Sequence, residues 1–557
     1  MTRPPTRQFA AAALAGLLLA LAAALAAAPV AAQDTAQDAP PAATDAAAAE
    51  RGARLYLTGE GLRATIAGGA ALPSAMAACV RCHRPSGYGG GESDARAPAI
   101  AAPVLFAPLT PRRALLLRDL YQERYGPLAK MAARTPRSRP AYAGARDLAR
   151  ALRDGVDPAG AALAATMPRY AIADADAAAL TAYLRRLGAT PDPGHDARSW
   201  TFATVITPDA PEAQVAASLA VIDAYVTRRN GEIARELGRP GFSPGYKGEY
   251  AAARRLWRVA IWRLSGPPEG WAAQLAARYE ADPPFALLGG VAPRDWAVVG
   301  AFCDAVVLPC VFPQTDWPGP AAGGMTLHLS GGLAEEAALM AAALRAMGAR
   351  RVAMVAGAGA DARLLARRFA LANPDFARVA APEDADAAAL FLSAAEAEAF
   401  VAQGGLRAAQ GRAVAAGGLL ADARGGLAPS LACALHVAWR FAPPDATAPQ
   451  RRRLRGWLRS RGVADPAQER AQLETWLALE AADHAIVRLV DRPSRALFVE
   501  TIERMAEAGL DPGVYPRFSL GPGQRVAARG AAMLRPDAAC AAQADAASAA
   551  VGRVRSQ

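Results

Sequence analysis

Hydrophobic positions change character twice along the chain. Phe9–Ala32 is an unbroken uncharged run rich in Ala and Leu, preceded by Arg3 and Arg7. From about Asp174 to Leu187, Leu180, Tyr183, Leu184 and Leu187 fall at i, i+3, i+4 and i+7, which predicts a short amphipathic helix. Beyond Trp200, short apolar and β-branched runs alternate with helical stretches. Phe202–Ile206, Pro284–Leu288, Val306–Phe312, Met325–Leu329, Arg351–Val355 and Ala388–Leu392 are expected strands. Pro211–Thr227, the stretch around Trp296–Asp304, and Leu333–Met347 are expected helices. This alternation predicts α/β layers with mainly parallel sheets over 200–557.

The length of 557 residues suggests about three compact units. Charged residues make up 20 %, which excludes both a disordered chain and a multi-spanning membrane protein. Six cysteines are too few for a disulfide-built scaffold. All nine tryptophans lie at or beyond Trp200, so the first third is built differently. The basic start, the apolar run and the small residues Val30-Ala31-Ala32 predict a signal peptide over 1–32, cleaved after Ala32, and export to the periplasm. The alternative is an uncleaved membrane anchor, since the run is nearly long enough to span. Removal of 1–32 lowers the formal charge from +11 to +9, because only Arg3 and Arg7 are lost. Gln33–Thr44 is a polar, Ala/Pro-rich flexible leader. Export argues against a nucleic-acid partner.

Cys79-Val80-Arg81-Cys82-His83 is the Cys-x-x-Cys-His signature of covalent haem c attachment. Two thiols three positions apart reach the two vinyl groups of one haem, and the adjacent imidazole coordinates iron. A zinc site would want a second ligand pair, and a redox dithiol would want a strand-to-helix junction. Neither is present here. Met167, in Thr166-Met167-Pro168-Arg169-Tyr170, is the candidate for the opposite axial position, because Pro168 disfavours helix at Met167. Met131, Met76 and His195 compete less well, and a five-coordinate haem is the main rival.

On these residues the stretch 45–190 resembles the class I cytochrome c family. Its start, Glu50-Arg51-Gly52-Ala53-Arg54-Leu55-Tyr56, is similar to the family's first helix. Ser86-Gly87-Tyr88-Gly89-Gly90 and the terminal helix ending Tyr183-Leu184 also carry the resemblance. It implies an all-α domain, His83 and Met167 as axial ligands, and terminal helices packed across one another. His83 and Met167 are 84 positions apart, longer than in the smallest members, and Arg112–Pro140 is the expected insertion.

Residues 191–199, with Pro191-Asp192-Pro193-Gly194, form the expected linker to a second part, 200–557. No catalytic motif occurs there, which suggests a carrier or binding protein rather than an enzyme. Gly357-Ala358-Gly359-x-x-Ala362 imitates a dinucleotide fingerprint, but tight βα turns need glycine whatever is bound. His328, His436 and His484 stand isolated. The basic run Arg451–Arg453, Arg455, Arg459 and Arg461 is either a solvated helix face or a docking surface for an acidic partner. Cys303, at an expected helix end, and Cys310, in the strand that follows, are a candidate disulfide. Two buried thiols are the equal alternative.

Phe285–Gly290, Leu308–Thr315, Ser330–Ala337, Ser494–Leu497 and Phe518–Gln524 resemble the type I periplasmic binding proteins, in the branched-chain amino-acid branch. The resemblance implies two α/β lobes joined by crossover strands. Strand ends then suggest a ligand cleft at Gly289, Gly290, Gln314, Thr315, Ser330 and Gly331. Trp262–Trp271, Phe302-Cys303 and Pro309-Cys310 are similar to a subgroup found with quinoprotein (PQQ-dependent) alcohol dehydrogenases. The expected function is one-electron transfer with redox proteins, either such a dehydrogenase or other cytochromes, beside a domain that docks or binds a small molecule. The alternative is an ABC-transporter-type solute-binding protein, or a redox or solute sensor, with an accessory haem.

Overall fold

The computed structural model describes residues 43–66, 69–92, 95–109, 138–238, 255–319, 324–422, 426–442, 448–489, 493–507, 513–516 and 518–536. The expected signal peptide, most of the leader, Met131 and nearly all of Arg112–Pro140 lie outside the described residues.

The first part is helical around one small core. Helices α1 (Ala43–Thr58), α2 (Val80–His83), α3 (Ala145–Arg153) and α4 (Asp174–Arg186) bring Leu55, Tyr56, Leu148, Leu152, Leu180 and Leu184 together. Gly52 lets α1 cross α4, because a Cβ there would lie 2.1 Å from the carbonyl oxygen of Ala179. The all-α expectation needs correction. Strands β1 (Ala64–Thr65), β2 (Ala71–Leu72) and β5 (Arg169–Tyr170) form an antiparallel sheet, and β3 (Gly90–Glu92) pairs with β4 (Ala95–Ala97). These pairings are two or three residues long and join segments as far apart as Ala64 and Tyr170, so no periodicity marks them.

The second part contains two six-stranded sheets among the described residues. In the first, β6 (Ser199–Ile206), β7 (Leu256–Arg263), β8 (Ala286–Leu288), β9 (Cys310–Val311) and β10 (Thr326–Ser330) run parallel. Helices α5 (Glu212–Gly238), α6 (Trp271–Ala281) and α7 (Ala297–Ala305) flank them. In the second sheet, β11 (Arg351–Ala356), β12 (Ala377–Val379), β13 (Ala387–Phe391), β14 (Ala413–Ala416) and β15 (His436–Trp439) are parallel. Helices α8 (Leu333–Ala346), α9 (Ala360–Ala372) and α10 (Ala394–Ala402) belong to this lobe. All five residues of β13 are buried, as expected for a parallel strand covered on both faces.

The chain crosses between lobes three times. It leaves the first after β10 and returns after β15 through α11 (Ala448–Ser460), α12 (Glu469–Leu489) and α13 (Arg495–Glu507). It then places β16 (Val526–Ala528) beside β10 and β17 (Ala532–Leu534) beside β15. This is a two-lobed α/β architecture with crossover connections.

The expected strand Val306–Phe312 is shorter. Val306–Pro309 is a turn in which Val307 adopts φ 51°, and pairing begins at Cys310. Across that turn Cys303 and Cys310 are joined by a disulfide with Cα atoms 6.5 Å apart. Cys433 is also disulfide-bonded.

Candidate haem site and polar cavity

Cys79 caps the start of α2 and Cys82 is its third residue, and neither forms a disulfide. His83 ends this helix and is 7 % exposed. Its Nδ1 lies 2.9 Å from the Pro98 carbonyl oxygen. That hydrogen bond fixes the ring and leaves Nε2 free to bind a metal. Burial lowers the His83 pKa, which favours the neutral, ligating form. Arg84 then turns the chain out of the helix with φ 63°, and Tyr56 Oη donates to its carbonyl at 2.6 Å. Gly89 follows with φ 74°, where a Cβ would lie 2.2 Å from the Ala97 carbonyl oxygen, so this turn requires glycine.

Met167 is half-buried against the same core that receives Cys79 and Val80. Tyr170 Oη donates to the Ala77 carbonyl at 3.0 Å, which ties the Met167 loop to the residues just before Cys79. Arg169 Nη1 donates to the Met167 carbonyl at 2.7 Å. The residues fit a c-type haem: two unpaired thiols at the right spacing, an imidazole with Nε2 left free, and a thioether on the adjoining loop. The competitors sit elsewhere. Met76 is 58 % exposed, and the His195 ring packs on Trp200 and Phe285 beyond the linker. Pro98, Arg169 and Tyr170 act as supports, and sequence spacing does not reveal their roles.

The second candidate site is a cavity of about 30 Å³ at the ends of β9 and β10, room for roughly two waters. Gln314, Thr315 and Ser330 line it, whereas Gly289, Gly290 and Gly331 do not. Gly290 serves a close approach instead, its Cβ position lying 3.0 Å from both Trp296 and the Val205 carbonyl oxygen. Gln314 is committed to internal bonds, donating to Thr475 Oγ1 at 2.7 Å and Ser218 Oγ at 3.0 Å while accepting from Gln214 at 2.8 Å.

Sequence reasoning missed the charged wall of this cavity. Asp316 pairs with Arg440 from the other lobe, and Arg440 Nε lies 3.8 Å from Glu336. Arg470 Nε lies 3.9 Å from Glu474, which also accepts from Tyr515 Oη at 2.7 Å. Burial pushes the Asp316 carboxyl up, but Arg440 and Arg470 more than offset this and hold it below the ordinary range. Burial dominates at Glu336 and pushes its carboxyl up to about 7. His328 also lines the cavity; it is 2 % exposed, and burial lowers its pKa to about 4.

The turn at Gly357 is filled by protein. Ala358 N donates to Glu396 Oε1 at 2.8 Å, and Glu396 closes a capping box with Ser393. An internal carboxylate thus takes the backbone donor that a phosphate would need. In the basic run, Arg455 makes two hydrogen bonds to Glu469, at 2.7 and 2.9 Å, and Arg453 lies over the Trp476 ring. Among the described residues, no helix is long and apolar enough to cross a membrane.

Residues 66–188 match the family model "Cytochrome c". No curated protein matches the chain. Solved structures with a similar fold include a substrate-binding periplasmic protein from Ralstonia solanacearum, at 14 % identity and TM-score 0.40. That match covers 59 % of this chain and 95 % of the other. A leucine-binding protein from Thermotoga maritima matches at 13 % identity and TM-score 0.38, over 58 % of this chain and 92 % of its own. An extracellular ligand-binding receptor from Rhodopseudomonas palustris matches at 11 % identity and TM-score 0.38, covering 59 % and 95 %. Residues 66–188 thus match the cytochrome c family, and the second part has two lobes built on mainly parallel sheets.

Proposed function

We propose that this protein is a periplasmic mono-haem cytochrome c that passes single electrons between redox proteins. The carrying observation is the Cys79–His83 helix, with His83 held by Pro98 and the Met167 loop tied beside it through Tyr170. Cys79 and Cys82 would hold one haem c by thioether bonds, and His83 and Met167 would supply a nitrogen and a sulfur ligand to its iron. A haem so bound supplies a one-electron iron couple, and a thioether opposite histidine raises its potential. Such a potential suits accepting electrons from a dehydrogenase, and the resemblance around Trp262–Trp271 favours a quinoprotein alcohol dehydrogenase as donor. Tyr56, Tyr170 and Pro98 hold the ligand loops still, so little rearrangement accompanies the change of charge. Residues 45–190 form the haem domain, 191–199 the linker and 200–557 the two-lobed domain. Export by a signal peptide over 1–32 delivers the chain to the compartment where such attachment occurs.

A second reading, solute binding or sensing by the two lobes, is favoured by one observation. His328 Nδ1 is buried without a hydrogen-bond partner in a residue lining the cavity at the ends of β9 and β10. The deciding experiment measures electron exchange of the holoprotein with a quinoprotein alcohol dehydrogenase and with other cytochromes, alongside calorimetric titration with small alcohols, acids and amino acids. Fast exchange without tight solute binding supports the carrier. Slow exchange with tight solute binding overturns it in favour of the sensor.

A further inference from the structure

The haem-bearing loop is gripped from the other part of the molecule. Ser86 lies three residues after His83, and its backbone N–H and hydroxyl both donate to Glu500 of α13, each at 2.7 Å. Ser86 Oγ also accepts from Tyr88 N at 3.1 Å, and Tyr88 packs against the core of the lobes. Glu500 is 3 % exposed and sits among the buried residues Phe498, Val499, Thr501 and Ile502. A carboxyl in such surroundings, with neutral donors as its hydrogen-bond partners, is poised between its two charge states.

We propose that Glu500 is a positioning residue for electron transfer: through its two hydrogen bonds it fixes the Ser86 loop that follows His83, and by gaining or losing a proton it shifts the reduction potential of the haem carried there. The inference rests on the haem reading above. Its balance is simple. When one electron arrives from a donor protein, one proton from solvent adds to the Glu500 carboxylate; when the electron leaves, the proton returns to solvent. The anionic carboxylate stabilises the more positive oxidised site, so the potential is lower with Glu500 ionised and higher with it neutral.

The surrounding charges support a titration in the accessible range. Burial is the main influence and pushes the Glu500 carboxyl up to about 7, against the two Ser86 hydrogen bonds; Glu503 pushes the same way as burial, and Arg504 opposes it. Glu503 is itself paired with Arg525. Arg504 Nη1 lies beside Gly90, and Arg84 belongs to the same loop. Tyr56, from α1, is held by burial well above its ordinary value and stays neutral throughout.

The test is potentiometric titration of the full-length holoprotein at a series of pH values, for the parent and for Glu500→Gln, which keeps the shape and one acceptor. The parent midpoint should fall as pH rises through about 7, and this inflection should be absent in Glu500→Gln. Titration of the haem's own carboxylates would remain in both proteins, so the difference between the two curves is the signal. Ser86→Ala loses one hydrogen bond to the carboxylate, so its inflection should move to higher pH. Ser86→Ala also decides the matter if Glu500→Gln does not accumulate. Identical curves for parent and variants overturn the proposal. A parent protein without covalent haem, by its pyridine haemochrome spectrum, overturns the haem reading instead.

Discussion

Asp316 and Arg440 are 124 positions apart and pair across the boundary between the lobes, with the Arg440 side chain 1 % exposed. Asp316 follows β9, and Arg440 follows β15. The neighbouring Trp317 inserts into the core of the second lobe, and Arg294 reaches Asp361 of α9 at 3.4 Å. These contacts clasp the lobes. Arg440→Ala would remove the cation paired with Asp316 and beside Glu336, leaving Asp316 with Arg470 alone, and breaking a buried pair from one side costs about 3–5 kcal/mol. Chemical denaturation should show a loss of that order. Simultaneous replacement of Arg440, Asp316 and Glu336 by apolar residues of similar size should recover most of it. A loss below about 1 kcal/mol, the range of exposed pairs, would show that the clasp does not hold the lobes together.

Glu336 gives stability a pH dependence of defined sign. Its folded-state pKa of about 7 lies above the ordinary carboxylate value, so the folded protein binds the proton more tightly than the unfolded one. This contribution is complete below the unfolded value and is lost as pH rises through about 7. Glu336→Gln should therefore be more favourable, relative to the parent, at pH 8 than at pH 5. Unfolding curves at the two pH values measure the difference, and an equal effect at both would contradict the assignment.

Covalent attachment requires both thiols. Cys79→Ala or Cys82→Ala should lose stable haem c, and a pyridine haemochrome spectrum unchanged in Cys82→Ala would sink the attachment.

Met167→Ala should keep the haem but lower its potential and remove the weak sulfur-to-iron absorption band at the red edge. Retention of that band would move the sixth ligand elsewhere.

The Cys303–Cys310 bridge closes a short loop, so its stabilisation belongs near the low end of about 2–4 kcal/mol. Non-reducing peptide mapping should recover the bridged pair, and Cys303→Ser with Cys310→Ser should lower the melting temperature by several degrees. Free Cys303 in protein from the periplasm would rule the bridge out there.

The sequence was most informative where structure is local. Phe202–Ile206 and Ala388–Leu392 show themselves as strands because both faces are buried and the runs are continuously apolar. Leu180, Leu184 and their neighbours announce α4 because one helix face meets the core. Val306–Phe312 misled for a physical reason: four apolar residues before Cys310 look like strand, yet the chain must turn there, with Val307 in a left-handed conformation. The small sheet containing Arg169–Tyr170 was not legible, since strands of two residues carry no periodicity. The Asp316–Arg440 pair was hidden for another reason. Each partner is a charged residue near a strand end, and only the crossing of the chain between lobes places them together. Ser86 and Glu500 are farther apart still, 414 positions, and neither looks unusual in its own segment.

The linker has a mechanical consequence. Asp192 Oδ2 accepts from the backbone N of Arg495 at 2.7 Å, while the Arg495 guanidinium reaches the Phe285 carbonyl at 3.2 Å and Tyr279 Oη at 3.0 Å. Gly194, with φ 92°, lies so close to Phe285 that a Cβ would overlap its backbone nitrogen at 1.9 Å. A haem domain on a loose tether would sweep a volume and meet partners in any orientation. Here the tether is held by Arg495 and packed on Phe285, so the first part keeps one orientation relative to the lobes. On the proposed electron-transfer reading, a redox partner would then approach from a fixed side, and the surface the lobes present on that side would act as a gatepost.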